Sequence, residues 1–472
     1  MAPAQPYDAT WESLNRHDVP RWFRDAKFGI FIHWGIYSVP AWAPLYAKQG
    51  QHYDEPAGNI PYAELYGYGL RYKHSPVWQY HVQRYGAAFQ YDDFIPMFTA
   101  AQWDPARWAQ LFHAIGARYV VLVTRHSDDY SLWPTKYSER NAFLSGPRRD
   151  LVGDLTAEVR KQHLKMGLYY SLTFDVYHDR YPHRPYVEYA HNQVKELVDQ
   201  YAPDLLWSDD YWKSSEKSLA STWNSEALIA YFYNHAADPA EVLVNDRWGK
   251  ATFGRLLGDY ATPEYAAITT IPPFYWEATR GIGHSFGYNQ AETEADYLSV
   301  EALVHLLVDV VSKNGNLLLN VGPTADGLLP ALQEERLRGL GAWLRTNGEA
   351  IYGTEPWICA EGATATGEAV RFTMKDNTIY AIVLGAAGQH VTIERLVVPT
   401  GTSFRLLGFD EPLDWHQRDD GLLVDLSRAR PTEHAYCLQI TPQPWILMRH
   451  TGETGVAPNG ATWRQYGSLY IP

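Results

Sequence analysis

Pro203-Asp204-Leu205-Leu206-Trp207-Ser208-Asp209-Asp210 is the stretch on which the fold turns. It is a short apolar run, entered through a proline, that ends in a tryptophan and two carboxylates. Strand side chains alternate between faces, so Leu205, Trp207 and Asp209 share one side and Leu206, Ser208 and Asp210 the other. An aromatic face beside a carboxylate at the C-terminal end of a strand suits a pocket that grips a sugar and cleaves it. One such end says little, because a buried strand often finishes in a capping Asp. The weight comes from the other strands that finish in the same way.

Upstream, Lys27-Phe28-Gly29-Ile30-Phe31-Ile32-His33-Trp34-Gly35 reads as a first strand with Phe31 and His33 on one face. Arg118–Thr124 is a β-branched run of the kind buried on both faces, and it ends in Arg125-His126-Ser127-Asp128-Asp129. Gly167–Leu172 is another strand. Downstream, Glu241–Val244 ends in Asn245-Asp246-Arg247, and Asn316–Leu319 ends in Asn320-Val321-Gly322-Pro323. Helical spacing is predicted over 105–117, 153–166, 185–202, 225–237, 296–313 and 331–348. Strand then helix, repeated, means a parallel sheet with helices outside it. No Gly-x-Gly-x-x-Gly follows the first strand and no phosphate-binding loop is present. The polar strand ends His33, Arg125, His126, Asp209, Asp246, Arg247 and Asn320 meet on one face if the sheet closes into a ring. The predicted class is therefore α/β, a (β/α)8-like TIM barrel over residues 1–355.

From about residue 356 the texture changes. Short alternating runs at 370–373, 378–384, 391–393, 422–426 and 435–440, punctuated by Gly, Pro and Asp, predict a C-terminal antiparallel β-sandwich over 356–442. The tail 443–472, rich in Gly, Pro and Trp, fits neither domain. Whether it docks on the barrel, docks on a neighbouring subunit of a homo-oligomer or hangs loose is left open. Residues 36–100 form an aromatic-rich excursion, and connections of that length in compact domains are usually functional.

Composition narrows the partners. The chain has 472 residues and a formal net charge of −14, which argues against nucleic acid and anionic membranes. Its 14% aromatic content, with 18 Trp and 34 Tyr, suits sugar faces but equally a large aromatic core. No run of about 18 apolar residues exists to span a membrane. Cys359 and Cys437 cannot build a disulfide framework. Without an apolar stretch near Met1 the expected location is the cytoplasm. There is no His-x-His or His-Glu-x-x-His, and His178 and His183 lack a carboxylate at ligand spacing, so neither a metal nor another cofactor is expected.

Cleaving a glycosidic bond with retention needs two carboxyl groups about 5–5.5 Å apart, one a nucleophile and one an acid that becomes a base. Asp209 is the better-placed nucleophile because it shares a face with Trp207. Asp210 should point away. The second carboxyl is open among Glu264, Glu277 and Glu292. Arg247 could hold a sugar hydroxyl or stabilise a neighbouring carboxylate.

With these residues in view, the chain resembles the retaining α-L-fucosidases of glycoside hydrolase family 29. The resemblance rests on Trp22–Gly35, Asp93–Phe98, Arg149–Asp154, Trp207–Asp209, Val244–Gly249, Gly281–Asn289 and Ser312–Pro323, and it runs from about residue 10 to 440. It implies Asp209 as nucleophile and Glu264, in Thr262-Pro263-Glu264-Tyr265, as acid/base. It implies that His33, His126, Tyr169, Trp207 and Arg247 hold the sugar. It also implies that Phe31, Tyr169, Trp207 and Phe286 wall the methyl group at C6, and that the substrate carries a terminal α-L-sugar. Two departures stand out. Where the family has two consecutive histidines, this chain has His126-Ser127, and where it has a Glu-Trp pair after His-Trp-Gly, Ala43-Pro44-Leu45-Tyr46 occupies the region. Both missing elements hold sugar hydroxyls in the family. The departures raise two rival expectations: the same mechanism on an α-L-glucoside or α-L-galactoside, and a sugar-binding protein without turnover.

Overall fold

The computed structural model describes residues 6–45, 60–172, 184–210, 223–249, 258–266, 268–442, 446–448, 464–466 and 469–471. Tyr46, His178, His183 and most of the tail lie outside the described residues.

Seven strands, β1 Phe28–Ile32, β2 Tyr119–Arg125, β3 Lys165–Ser171, β4 Leu205–Asp209, β5 Leu243–Val244, β6 Trp276–Gly281 and β7 Gly315–Val321, form one parallel sheet in the order β5-β4-β3-β2-β1-β7-β6. The two ends of the sheet are joined by residues 259–265. Asp259 N–H donates to Val244 O on β5, and Ala261, Glu277, Thr279 and Tyr265 N–H groups alternate along β6 as Glu264 pairs in parallel with Thr279. An irregular segment thus takes the place of an eighth regular strand and closes the ring.

Alternation sorts the side chains. Phe31, Tyr119, Val121, Val123, Tyr169, Leu205, Trp207 and Leu318 pack together inside the barrel. Their neighbours Ile30, Ile32, Val120, Leu122, Leu206 and Leu319 face the surrounding helices. Those helices lie at Pro105–Ala114, Leu151–Lys161, Arg184–Tyr201, Ser225–His235, Val300–Ser312 and Ala331–Asn347, within a few residues of the predicted ranges. Asp104, Asp150 and Ser299 cap three of them with their side chains, as short acceptors do at helix starts.

Behind the barrel stand β8 Glu355–Ala363, β9 Ala369–Lys375, β10 Thr378–Leu384, β11 His390–Glu394, β12 Leu396–Val397, β13 Ser403–Leu406, β14 Trp415–Gln417, β15 Gly421–Asp425 and β16 Ala435–Thr441. They form antiparallel sheets, the larger ordered β13-β16-β10-β9-β8 and the smaller β11-β15-β14. Between the sheets lies a second apolar core around Trp357, Phe372, Phe404 and Leu438. The other face of the larger sheet, with Tyr380, Ile382 and Cys437, belongs to the barrel's core.

Candidate active site

Asp209 ends β4 inside the barrel mouth, and Asp210 turns outward. The Asp210 carboxylate accepts from the Trp223 indole, while its backbone is tied to Arg247 and Gly249. Asp209 Oδ2 accepts from the Tyr169 hydroxyl at 2.9 Å, and its Oδ1 lies 3.2 Å from Arg247 Nη1. The same Arg247 nitrogen lies 3.1 Å from Glu264 Oε2. A shared donor caps the separation of those two oxygens at about 6 Å, the two contacts laid end to end, close to the ~5–5.5 Å of a retaining pair.

Arg247 is fixed from behind. Its Nε and Nη2 donate to Thr262 Oγ1 and Thr262 O at 3.0 and 2.9 Å, and Thr262 Oγ1 donates to Asp246 Oδ1. Its guanidinium also sits 4.9 Å above the Trp207 ring. Burial raises the Glu264 carboxyl above its ordinary value; Arg247 pulls against that rise, and the charge on Asp209 adds to it. The two acids thus sit in unequal surroundings.

Aromatic rings and imidazoles make the rest of the cavity. Trp207 stacks on Tyr169 with centroids 5.3 Å apart, and Phe31 meets Trp207 at 5.2 Å and Phe286 at 6.4 Å. His33 touches Phe286 at 5.0 Å and His126 at 5.6 Å. Asn320 Nδ2 donates to Phe286 O, which turns its Oδ1 toward His33 and makes His33 Nδ1 a donor at 2.6 Å. Burial, with His126 close by, holds His33 well below its ordinary pKa, so the ring is neutral and Nε2 is an acceptor. Burial lowers His126 to about 4, with Arg125 adding to the effect and Asp209 opposing it.

His126 reaches the cavity through an irregularity. β2 pairs Val123 with Tyr169 but Arg125 with Tyr170, so Thr124 is an extra residue in the strand. Strict alternation would point Arg125 inward and His126 outward. The bulge exchanges them, and Arg125 bonds Ser171 O and Tyr186 on the helix side. Arg125 is therefore not part of the cavity.

The three acid candidates separate by position. Glu277 lies on β6 rather than in a loop, and it is fully buried beneath Trp207. It accepts from Tyr119 at 2.6 Å, Trp207 Nε1 at 3.0 Å and Tyr260 at 3.5 Å. Glu292 accepts the backbone N–H groups of His284 and Ser285, and so holds the loop that carries Phe286. Of the three, Glu264 is the one that shares an Arg247 nitrogen with Asp209.

The expectation of a missing acid near Ala43-Pro44-Leu45-Tyr46 needs correcting. Ala43 is buried and bonded on both sides of its peptide to Asn289. A carboxylate reaches this part of the site from further along the excursion. Glu64 is buried, accepts from Gly287 N–H at 2.7 Å and Ser285 Oγ at 3.1 Å, and interacts with the charge of Glu264. Burial raises it to about 7. Leu65 follows it where an aromatic would complete a Glu-Trp pair. Nothing periodic marks Glu64 in the sequence, because it sits in a short turn, Ala63–Leu65. Among the described residues no group of three or more His, Cys, Asp or Glu is arranged to hold a metal.

Two carboxyls bridged by an arginine, at the C-terminal mouth of a parallel barrel and faced with aromatic rings, put this chain among the enzymes that cleave glycosidic bonds. Comparison narrows the class. Residues 1–349 match the family model described as Alpha-L-fucosidase, and residues 364–441 match the Alpha-L-fucosidase C-terminal domain. The chain belongs to the α-L-fucosidase family. It is 34% identical to the tissue alpha-L-fucosidase of Mus musculus over 93% of this chain and 96% of that one. It is 36% identical to the alpha-L-fucosidase of Branchiostoma floridae over 87% and 89%. Among solved structures, Thermotoga maritima alpha-fucosidase with a mechanism based inhibitor is 44% identical, with a TM-score of 0.81 over 92% of this chain and 100% of that one. Alpha-L-fucosidase isoenzyme 1 from Paenibacillus thiaminolyticus is 26% identical with a TM-score of 0.71, over 92% and 100%.

Proposed function

We propose that the chain is an exo-acting α-L-fucosidase that works with retention, through a covalent fucosyl intermediate on Asp209. The observation that carries this reading is the single Arg247 nitrogen within 3.2 Å of Asp209 and 3.1 Å of Glu264. In the first step an Asp209 oxygen bonds the anomeric carbon as the bond from that carbon to the aglycone oxygen breaks. The proton on Glu264 passes to the departing oxygen. In the second step ionised Glu264 takes a proton from water, the water oxygen bonds the anomeric carbon, and the Asp209 ester is released. The two states of Glu264 follow from its neighbour. Charge on Asp209 favours protonated Glu264 before the first step, and that push disappears once Asp209 is esterified. Tyr169, donating to Asp209 Oδ2, orients the attacking carboxylate.

Fucose suits the cavity because the wall of Phe31, Tyr169, Trp207 and Phe286 offers a methyl group apolar contact. His33 Nε2, His126 and Glu64 offer partners to ring hydroxyls. A Thermotoga maritima alpha-fucosidase, 43% identical, has been solved in complex with fucose, which supports the same sugar here. A sugar hydroxylated at C6 would press that group on the wall, a mismatch worth about 10²-fold in kcat/KM. The comparisons favour neither a different L-sugar nor a sugar-binding protein without turnover.

The test is Asp209→Gly on an aryl α-L-fucoside. Turnover should vanish, and added azide should restore part of it with a glycosyl azide as product. Full activity in this variant would overturn the mechanism.

A further inference from the structure

Tyr265 directly follows the proposed acid/base and has a backbone φ of +47°. A bulky side chain rarely adopts this left-handed conformation, and such residues persist only where surrounding contacts over-determine them. The contacts are present. Tyr265 N–H donates to Thr279 O at 3.1 Å, the last bond of the segment to β6. The side chain then crosses the end of that strand. Its hydroxyl donates to His284 O at 2.9 Å and accepts from Gly281 N–H at 3.1 Å, so donor and acceptor are both in use. Gly281 leaves room for this: a Cβ there would lie 3.1 Å from the Tyr265 oxygen and 2.6 Å from Ser285 O. The ring is pinned between Phe286, with centroids 5.5 Å apart, and the Arg280 guanidinium 5.2 Å from its centroid.

We infer that Tyr265 is a positioning residue: its two-way hydroxyl clamp on the end of β6 holds the chain in the left-handed turn that aims the Glu264 carboxyl at the glycosidic oxygen. The inference rests on the reading of Glu264 as acid/base. Glu264 sits on an irregular segment that is laddered to β6 through Ala261, Pro263 and Tyr265 but, among the described residues, pairs with no regular strand on its other edge beyond Asp259. Its own backbone pairs with Thr279, and the chain leaves the sheet one residue later. The turn at Tyr265 is what keeps the carboxyl from swinging with the segment. Without the hydroxyl, the turn relaxes toward the right-handed region and the carboxyl moves away from its target. Of the rings that wall the pocket the clamp meets Phe286, and Tyr265→Phe keeps that ring contact, so sugar binding should change little.

A readout that separates proton delivery from general damage is the dependence on leaving group. A nitrophenolate departs without protonation; an alkoxide does not. Each enzyme is assayed on a dinitrophenyl α-L-fucoside and on methyl α-L-fucoside. Tyr265→Phe should lose about 10–10²-fold in kcat/KM, which reports the first chemical step, on the methyl glycoside and less than about threefold on the dinitrophenyl one, since a displacement of order 1 Å costs a reacting group about that much. Tyr265→Gly, which adopts the left-handed turn freely but has no clamp, should show the same split. Equal losses on both substrates, or wild-type activity of both variants on the methyl glycoside, would overturn the inference. Glu264→Gln is assayed alongside. If it shows no leaving-group dependence, the acid/base assignment itself falls; if it does and the Tyr265 variants do not, only the positioning role falls.

Discussion

Glu277 sits at the floor of the cavity, where one carboxyl gathers the Trp207 indole and the Tyr119 hydroxyl, with Tyr260 further off. Replacing it with leucine strands these donors in a dry interior, each at about 1–3 kcal/mol, so Glu277→Leu should destabilise the fold by about 3 kcal/mol or more in urea melts. Burial raises this carboxyl to about 7, above its unfolded value near 4.5. The folded state therefore keeps a proton that the unfolded state releases. This group's stabilising effect is full below pH 4.5 and is lost as pH rises through 7. The stability gap between wild type and Glu277→Gln should shrink from pH 4.5 to pH 8, and a constant gap would show that the carboxyl does not titrate in that window. The alternation of Leu205, Trp207 and Asp209 was readable from residue types, since each strand position has one of two faces. The exchange of Arg125 and His126 was not, because one extra residue in β2 reverses the alternation and leaves no compositional trace.

The segment 259–265 lies at the next scale, and it is where prediction from pattern fell short. β6, Trp276-Glu277-Ala278-Thr279-Arg280-Gly281, carries two charged residues in six and reads as a loop. It is a strand because Glu277 finds buried donors and Arg280 stacks on Tyr265. The sequence pattern reads as a strand over Glu241–Val244, but only Leu243–Val244, β5, is strand, because Pro239–Glu241 forms a short helical turn first. The regular helices were legible to within a few residues because their apolar stripes repeat over several turns. At the foot of the irregular segment Asp259 is held by His17. His17 Nδ1 meets Asp259 Oδ1 at 2.8 Å and Nε2 meets Pro239 O at 2.8 Å, two acceptors that require both nitrogens to be protonated. Burial opposes that charge, but the Asp259 hydrogen bond and charge outweigh it and the pKa is raised. The stabilisation is complete below the unfolded value near 6.5 and is lost as pH climbs through the folded one. His17→Gln should cost about 1–3 kcal/mol at pH 6 in chemical denaturation, with the difference narrowing at higher pH. An unchanged difference from pH 6 to pH 9 would mean that His17 is not charged in the fold.

At the scale of the whole molecule, the helices Val300–Ser312 and Ala331–Asn347 serve two cores at once. One side covers the barrel, and the other meets the larger antiparallel sheet through Tyr380, Ile382, Ala435 and Cys437. Polar contacts cross the same boundary. Trp343 Nε1 donates to Ala435 O at 2.8 Å and the Tyr380 hydroxyl to Glu349 at 2.7 Å. Arg371 and Lys313 share Asp309 at 2.7 and 2.8 Å, with Lys313 almost fully buried. Alternating runs in the sequence announced the strands of this sheet, but one sequence cannot say which face of a sheet meets which helix. An interface that is apolar, hydrogen-bonded and built around a buried lysine couples the two units more tightly than an ordinary interdomain contact. Heat should therefore unfold both in a single calorimetric transition, with loss of fucosidase turnover following the same curve. A chain cut after residue 355 should lose solubility, because the outer faces of both helices would meet water. Two separate transitions, or an active soluble barrel from the shortened chain, would show that the sheet is an appendage and that the barrel's core is complete without it.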